Sequence, residues 1–130
     1  MTEQSRDITE SAVELQPASQ DIWDQKYRLK DHQDQPVDQT IDATWERVAQ
    51  ALSEIEPKRK AHWRGEFLWA LRNGAIPAGR IISNAGAQAY KPATSTINCT
   101  VSGTIGDSME DILHKNLAAG LTLKAGCGIG

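Results

Sequence analysis

The sequence has little of what most specialised chains depend on. Two cysteines, Cys99 and Cys127, stand in 130 residues. That is too few for a secreted disulfide scaffold. The possible metal ligands are Cys99, Cys127 and His114, and no Cys-x-x-Cys or His-x-x-x-His spacing joins them, so no metal site is expected. No apolar run approaches the roughly 20 residues that span a bilayer, which excludes a membrane anchor of that kind. Basic residues number 14 against 17 acidic ones, for a net charge of -3. No cationic excess is left for sequence-independent binding of nucleic acid. Acidic residues (Glu3, Asp7, Glu10, Glu14) open the chain, unlike a signal peptide. These absences point to the cytoplasm, with both thiols reduced.

What is present falls into three parts. Residues 1–19 are polar, charged and poor in large apolar side chains, as in a flexible tail. Residues 20–76 are a helical region. It opens with a short patch over Ile22–Leu29, followed by a polar loop, 31–39, that contains Pro36. The clearest helix is Thr40–Glu56, where Ile41, Thr44, Trp45, Val48, Leu52 and Ile55 recur at helical spacing. Thr40 is placed to cap it, and Asp42 suits the positive end of its dipole. After Pro57 comes a second helix, Lys58–Arg72, ended by Asn73-Gly74 with the chemistry of a left-handed cap. Trp45, Trp63 and Trp69 lie in these two helices and read as core anchors rather than ligand-stacking rings.

Residues 77–130 differ in kind. Charge falls, and Gly, Ser, Thr, Asn and small apolar residues take over. Ile81-Ile82 and Ile97–Val101 are short strand candidates. Asp107–Lys124 is a third long helix, capped by Asp107 or Ser108, with Met109, Ile112, Leu113, Leu117 and Leu121 as its apolar stripe. Gly120 inside it costs about 1 kcal/mol against Ala and calls for a packing reason. Two short strands and one helix make too small a sheet to stand alone, and the sequence finishes on the glycine-rich run 126–130. We therefore expect an N-terminal piece of a larger protein, of α+β class in the part seen.

Two segments carry chemistry. One is Pro77-Ala78-Gly79-Arg80-Ile81-Ile82-Ser83-Asn84-Ala85-Gly86. The other is Thr94-Ser95-Thr96-Ile97-Asn98-Cys99-Thr100-Val101-Ser102-Gly103. A thiol in a short strand among hydroxyls and amides suits a pocket for a polar ligand such as a sugar or phosphate, because buried hydroxyls need partners. The plainer alternative for Cys99 is an inert buried thiol. Gly126-x-Gly128-x-Gly130 follows a helix, whereas a dinucleotide fingerprint opens one. It is either a cap and turn or a loop whose N–H groups face an anion.

The run Pro77–Gly86 and the block Ser95–Ile105, with Asp107-Ser108-Met109 and the run Ala119–Gly130, resemble the start of a ribonucleotide reductase large chain. More narrowly they resemble the adenosylcobalamin-dependent class II enzyme, and the Ile22-Trp23-Asp24-x-Lys26-Tyr27-Arg28 run is similar to the opening of that subtype. The resemblance implies a helical N-terminal region leading into the first strands and helix of the reductase α/β barrel. It implies that cobalt–carbon homolysis in adenosylcobalamin supplies a thiyl radical on a cysteine beyond residue 130. It further implies that Cys99 is one of two reducing cysteines, the other also lying beyond residue 130 with the main cobalamin contacts. Asn98 occupies a substrate-binding position near the phosphate where the family often has Ser, and Cys127 and Gly128 match a turn whose backbone approaches the substrate. Asp107 and Ser108 match the start of the helix that frames the site of a dNTP effector, and Asp107 is otherwise a plain N-cap. The implied partners are a ribonucleotide, a dNTP effector, a thioredoxin-type reductant and the remainder of the reductase chain. Two alternatives stay open: a class I large chain with a separate metal subunit, and a non-catalytic helical interaction module.

Overall fold

A computed structural model describes residues 13–91 and 95–130. The first twelve residues, most of the expected tail, lie outside it, as does Thr94. From Val13 onward the chain is tied down: the Val13 N–H donates to the Arg72 carbonyl at 3.1 Å. Helix α1 (Pro17–Ile22) begins inside the expected tail and runs into a single π-helical turn, Trp23–Tyr27. Pro17 favours that start, because its fixed φ suits the first helical position and its missing N–H is not needed there.

Helix α2 (Ile41–Glu54) follows the predicted pattern. Thr40 caps it, its Oγ1 accepting the Ala43 N–H at 3.2 Å. Its inward face buries Thr44, Val48, Ala49 and Ser53, whereas Ile55 falls at the C-cap and is exposed. Helix α3 (Lys60–Arg72) packs along α2. Arg72, at the end of α3, makes two 2.6 Å hydrogen bonds to Asp42 in the first turn of α2. The two helices therefore run antiparallel. Gly74, at φ +95, supplies the left-handed residue that closes α3.

The core is formed by Val48, Ala49, Leu71 and Ala85, flanked by Trp45, Leu52, Phe67, Leu68 and Ile81. The tryptophans divide differently from the sequence expectation. Trp23 is the buried one, while Trp63 and Trp69 are each 38% exposed on α3. The apolar residues of α3 are spread around the helix, so its aromatics cannot all face inward. Trp63 instead stacks on Phe67 at 6.0 Å between centroids.

Ile81-Ile82 is not a strand. It lies in α4 (Gly79–Asn84), a six-residue helix that contacts α2 and the π turn, so the helical unit continues past Ile76. A β-branched pair suggests a strand by propensity, but burying Ile82 against the core decides the conformation here. The second expected strand shrinks to β1 (Cys99–Thr100). After α5 (Met109–Lys124), β2 (Gly128–Ile129) pairs parallel to β1. The described residues thus form a mostly helical protein with one two-stranded parallel sheet. None of their helices is long and apolar enough to cross a membrane.

Helix α5 buries none of its residues. Met109, Ile112, Leu113, Leu117 and Leu121 form a stripe, as predicted, but all are exposed, because no described element packs on it. A Cβ at Gly120 would meet nothing within 4 Å, so the packing reason expected for that glycine is not found among the described residues.

Candidate functional site

The site is built on the β1–α5–β2 unit. Parallel neighbours need a crossover, and α5 supplies it. Cys99 pairs with Gly128 and Thr100 with Ile129. The ladder is closed by Gly128 N–H to Asn98 O at 3.0 Å, Gly130 N–H to Thr100 O at 3.1 Å and Ser102 N–H to Gly130 O at 2.6 Å. Asn98, Cys99, Cys127 and Gly128, separated by almost thirty positions in sequence, are thereby brought together.

The glycine-rich run resolves into a helix cap. Gly126 has φ +79. Its N–H donates to Leu123 O at 2.8 Å, and the next N–H, of Cys127, donates to Thr122 O at 3.1 Å. This is the paired bonding of a Schellman motif, with Gly126 as its left-handed residue. The motif turns the chain directly into β2.

The two thiols have different surroundings. Cys127 is buried. Its Sγ donates to Ile97 O at 3.0 Å and lies 3.4 Å from Ser95 Oγ. Cys99 is exposed. A Cβ on Gly128 would lie 3.1 Å from Cys99 Sγ, so the glycine leaves room for that thiol. Cys99 is therefore not the buried thiol of the plainer reading, and Cys127 is the buried one.

A polar cavity of about 430 Å³ lies beside this unit, lined by Tyr27, Gly79, Arg80, Ser83, Asn84 and Asn98. Arg80 is its one cation, and no carboxylate lines it. The Arg80 guanidinium rests against Gly126, where a Cβ would come within 2.6 Å of Nη1. Arg80 stands in the 77–86 segment, but nothing in the sequence gave it a role. Its spacing from Asn98 becomes meaningful only when α4 folds beside β1.

Asp107 and Ser108 lie elsewhere, at the start of α5. Ser108 is the N-cap, its Oγ accepting the Asp111 N–H at 3.1 Å. Asp111, in the first turn, accepts the Gly106 N–H and folds the preceding loop over the helix end. Asp107 is exposed and is not the cap, which removes the plain reading of that residue.

A third polar group was not anticipated: Asp38, Thr44 and Arg47. Asp38 and Arg47 are almost wholly buried and meet at 2.7 Å. Thr44 Oγ1 donates to Asp38 Oδ2 at 2.7 Å and accepts from Trp23 Nε1 at 3.0 Å. Burial pushes the Asp38 carboxyl up. Hydrogen bonds from Arg47 and Thr44, the Arg47 charge and the Leu29 N–H outweigh it and hold the group below its ordinary value. Lys91 is lowered by burial and then by the nearby Arg47 charge, with Asp38 partly offsetting them. Among the described residues, no three His, Cys, Asp or Glu side chains cluster as a metal site would require.

The family described as "Ribonucleotide reductase, all-alpha domain" matches residues 13–90, more than half of the chain. The match covers α1 to α4 and ends before Cys99. No match is found among curated proteins, and none among solved structures.

Proposed function

The chain belongs to the ribonucleotide reductase family through the all-alpha domain at residues 13–90, and from that premise we propose that it is the N-terminal part of a cytoplasmic reductase converting ribonucleotides to deoxyribonucleotides, with Cys99 as one of its two reducing thiols. The observation that carries this reading is the contrast between the cysteines: Cys99 is exposed on β1 beside Gly128, and Cys127 is buried with its thiol engaged. Disulfide exchange requires an accessible sulfur.

The substrate's 2′ C–O bond breaks and a C–H bond forms there. Two thiols give up two electrons and two protons and become a disulfide, and the 2′ oxygen leaves as water. A thioredoxin-type reductant then restores the thiols. In this proposal the second reducing cysteine and the radical cysteine lie in the remainder of the reductase chain.

The polar cavity supplies the binding side of the proposal. Arg80, Ser83 and Asn98 offer one charge and several hydrogen-bond donors, which suits a nucleotide phosphate. The backbone of Cys127-Gly128 borders the substrate. Asp107 and Ser108 belong to a dNTP effector site at the start of α5.

The class II assignment, with adenosylcobalamin as radical source, is supported by the likeness of the 121–130 run and of the Ile22–Arg28 run to that subtype. The main contacts to that cofactor are expected in the remainder of the reductase chain, beyond residue 130. No step by this chain's residues goes through it.

The test compares Cys99→Ser with Cys127→Ser in a reductase containing this chain. Serine preserves size but cannot form a disulfide. Cys99→Ser should bind substrate yet lose multiple turnover with a dithiol, and Cys127→Ser should retain most of it. Normal turnover by Cys99→Ser would overturn the assignment.

A further inference from the structure

The segment Asn84-Ala85-Gly86 joins the helical unit to the cysteine strands, and each of its residues has a distinct contact. The Ala85 carbonyl accepts Arg47 Nη1 at 2.5 Å, and the Ile82 carbonyl accepts Nη2 at 3.0 Å. The open carbonyls at the end of α4 are thereby satisfied by a side chain of α2. Gly86, at φ +73, makes this approach possible: a Cβ there would lie 2.9 Å from Arg47 Cγ and 3.4 Å from Ala51 Cβ. Asn84 reaches the other way, its Nδ2 donating to Ser95 O at 2.7 Å. Ser95 Oγ in turn sits 3.4 Å from Cys127 Sγ and accepts the Ile97 N–H at 3.1 Å, two residues before Cys99.

We propose that Arg47, held by the buried carboxylate of Asp38, is a positioning residue for the cysteine strands, acting through the end of α4 and the Asn84–Ser95 contact. The fork of Arg47 is fixed at its base by Asp38, which takes Nε and Nη2, so its remaining donors can set the two α4 carbonyls in place. A guanidinium suits this task because it is planar and offers donors in several directions at once; a lysine would supply the charge without the fork. Asn84 then fixes Ser95, and Ser95 fixes both the Cys127 thiol and the backbone entering β1. The buried pair in the all-alpha domain would thus govern the geometry around Cys99, which the family match does not include. This role rests on the reductase reading only for its catalytic consequence.

The experiment uses a reductase containing this chain and follows alkylation of Cys127 by iodoacetamide, resolved by peptide mass. Two variants cut the path at opposite ends: Arg47→Lys, which keeps the charge, and Asn84→Ala, which leaves the Asp38–Arg47 pair intact. Both should speed Cys127 alkylation at least about ten-fold. In Asn84→Ala, amide exchange at Val48 and Ala49 should stay at the wild-type rate. If Arg47→Lys does not fold, Gly86→Ala replaces it, because its methyl displaces Arg47 without removing any donor, and the same acceleration is expected. Wild-type labelling in Asn84→Ala, or in the folded variant at the Arg47 end, overturns the proposal. In a reductase containing this chain, Arg47→Lys should lower kcat while leaving KM in place. Absence of turnover in the wild-type enzyme would count against the reductase reading, and the labelling result would stand apart from it.

Discussion

Cys99 Sγ faces Gly128 across the β1–β2 pair so closely that any side chain at 128 would press on it. A methyl group there would sit 3.1 Å from the sulfur, so the thiol would have to move. Gly128→Ala should cost about 1 kcal/mol of stability, as modest overpacking does. It should also slow multiple turnover of the reductase by displacing Cys99. Thermal unfolding and turnover check both. An unchanged rate with unchanged stability would show that the sulfur has free room.

Asp38 makes stability depend on pH in a defined direction. Its carboxyl is held below its ordinary value in the fold, where burial is outweighed by Arg47 and Thr44. The unfolded chain therefore takes up the proton first as pH falls. The contribution is complete above the unfolded value of about 3.9 and is lost as pH falls through the lower folded value. Asp38→Asn leaves Arg47 without its buried counter-charge and should cost about 3 kcal/mol at pH 7. The gap between wild type and variant, measured by denaturant unfolding, should close only below about pH 4. A gap that persists to lower pH would contradict the assignment.

Much of the helical unit was legible in advance. Thr40, the 41–52 periodicity and Asn73-Gly74 are local signals, and the helix starts and ends they mark lie at or within two residues of those observed. What could not be read required tertiary context. Nothing local distinguishes Ile81-Ile82 in a short helix from the same pair in a strand. The Asp38–Arg47 pair joins a loop to a helix face and gains its meaning from α4 carbonyls 35 and 38 positions away. Of the two readings of 126–130, the cap is formed by Gly126 and Cys127, whose bonds are local to that helix end, while Gly128-Ile129 become a strand only by pairing with Cys99-Thr100. The separate fates of the two thiols were not visible, because burial of Cys127 depends on Ser95 and Ile97 folding over it.

Ser108 and Asp107 should separate stability from regulation. Ser108 holds the α5 N-cap, so Ser108→Ala should lose about 1 kcal/mol. Asp107→Ala should leave the melting temperature unchanged, since Asp107 is exposed and not the cap. In our proposal it should weaken the effect of dNTPs on substrate choice. Wild-type dNTP responses in Asp107→Ala would remove that residue from the effector site.

Arg80 is the one charge in the polar cavity. Arg80→Gln should raise the KM for the nucleotide about ten-fold with a smaller change in kcat, as loss of a charge-assisted hydrogen bond predicts. The loss should fall further on substrates with more phosphate charge. An unchanged KM would show that the cavity does not hold the phosphate.

The identity of the oxidised sulfur decides whether Cys99 is the reducing thiol. A reductase containing this chain is reduced, freed of dithiol, given substrate for one turnover, quenched with an alkylating agent and mapped by peptide mass. The prediction is that Cys99 is recovered in a disulfide and Cys127 as the alkylated thiol. Recovery of Cys99 as a free thiol after deoxynucleotide has formed, or of Cys127 in the new disulfide, would contradict it.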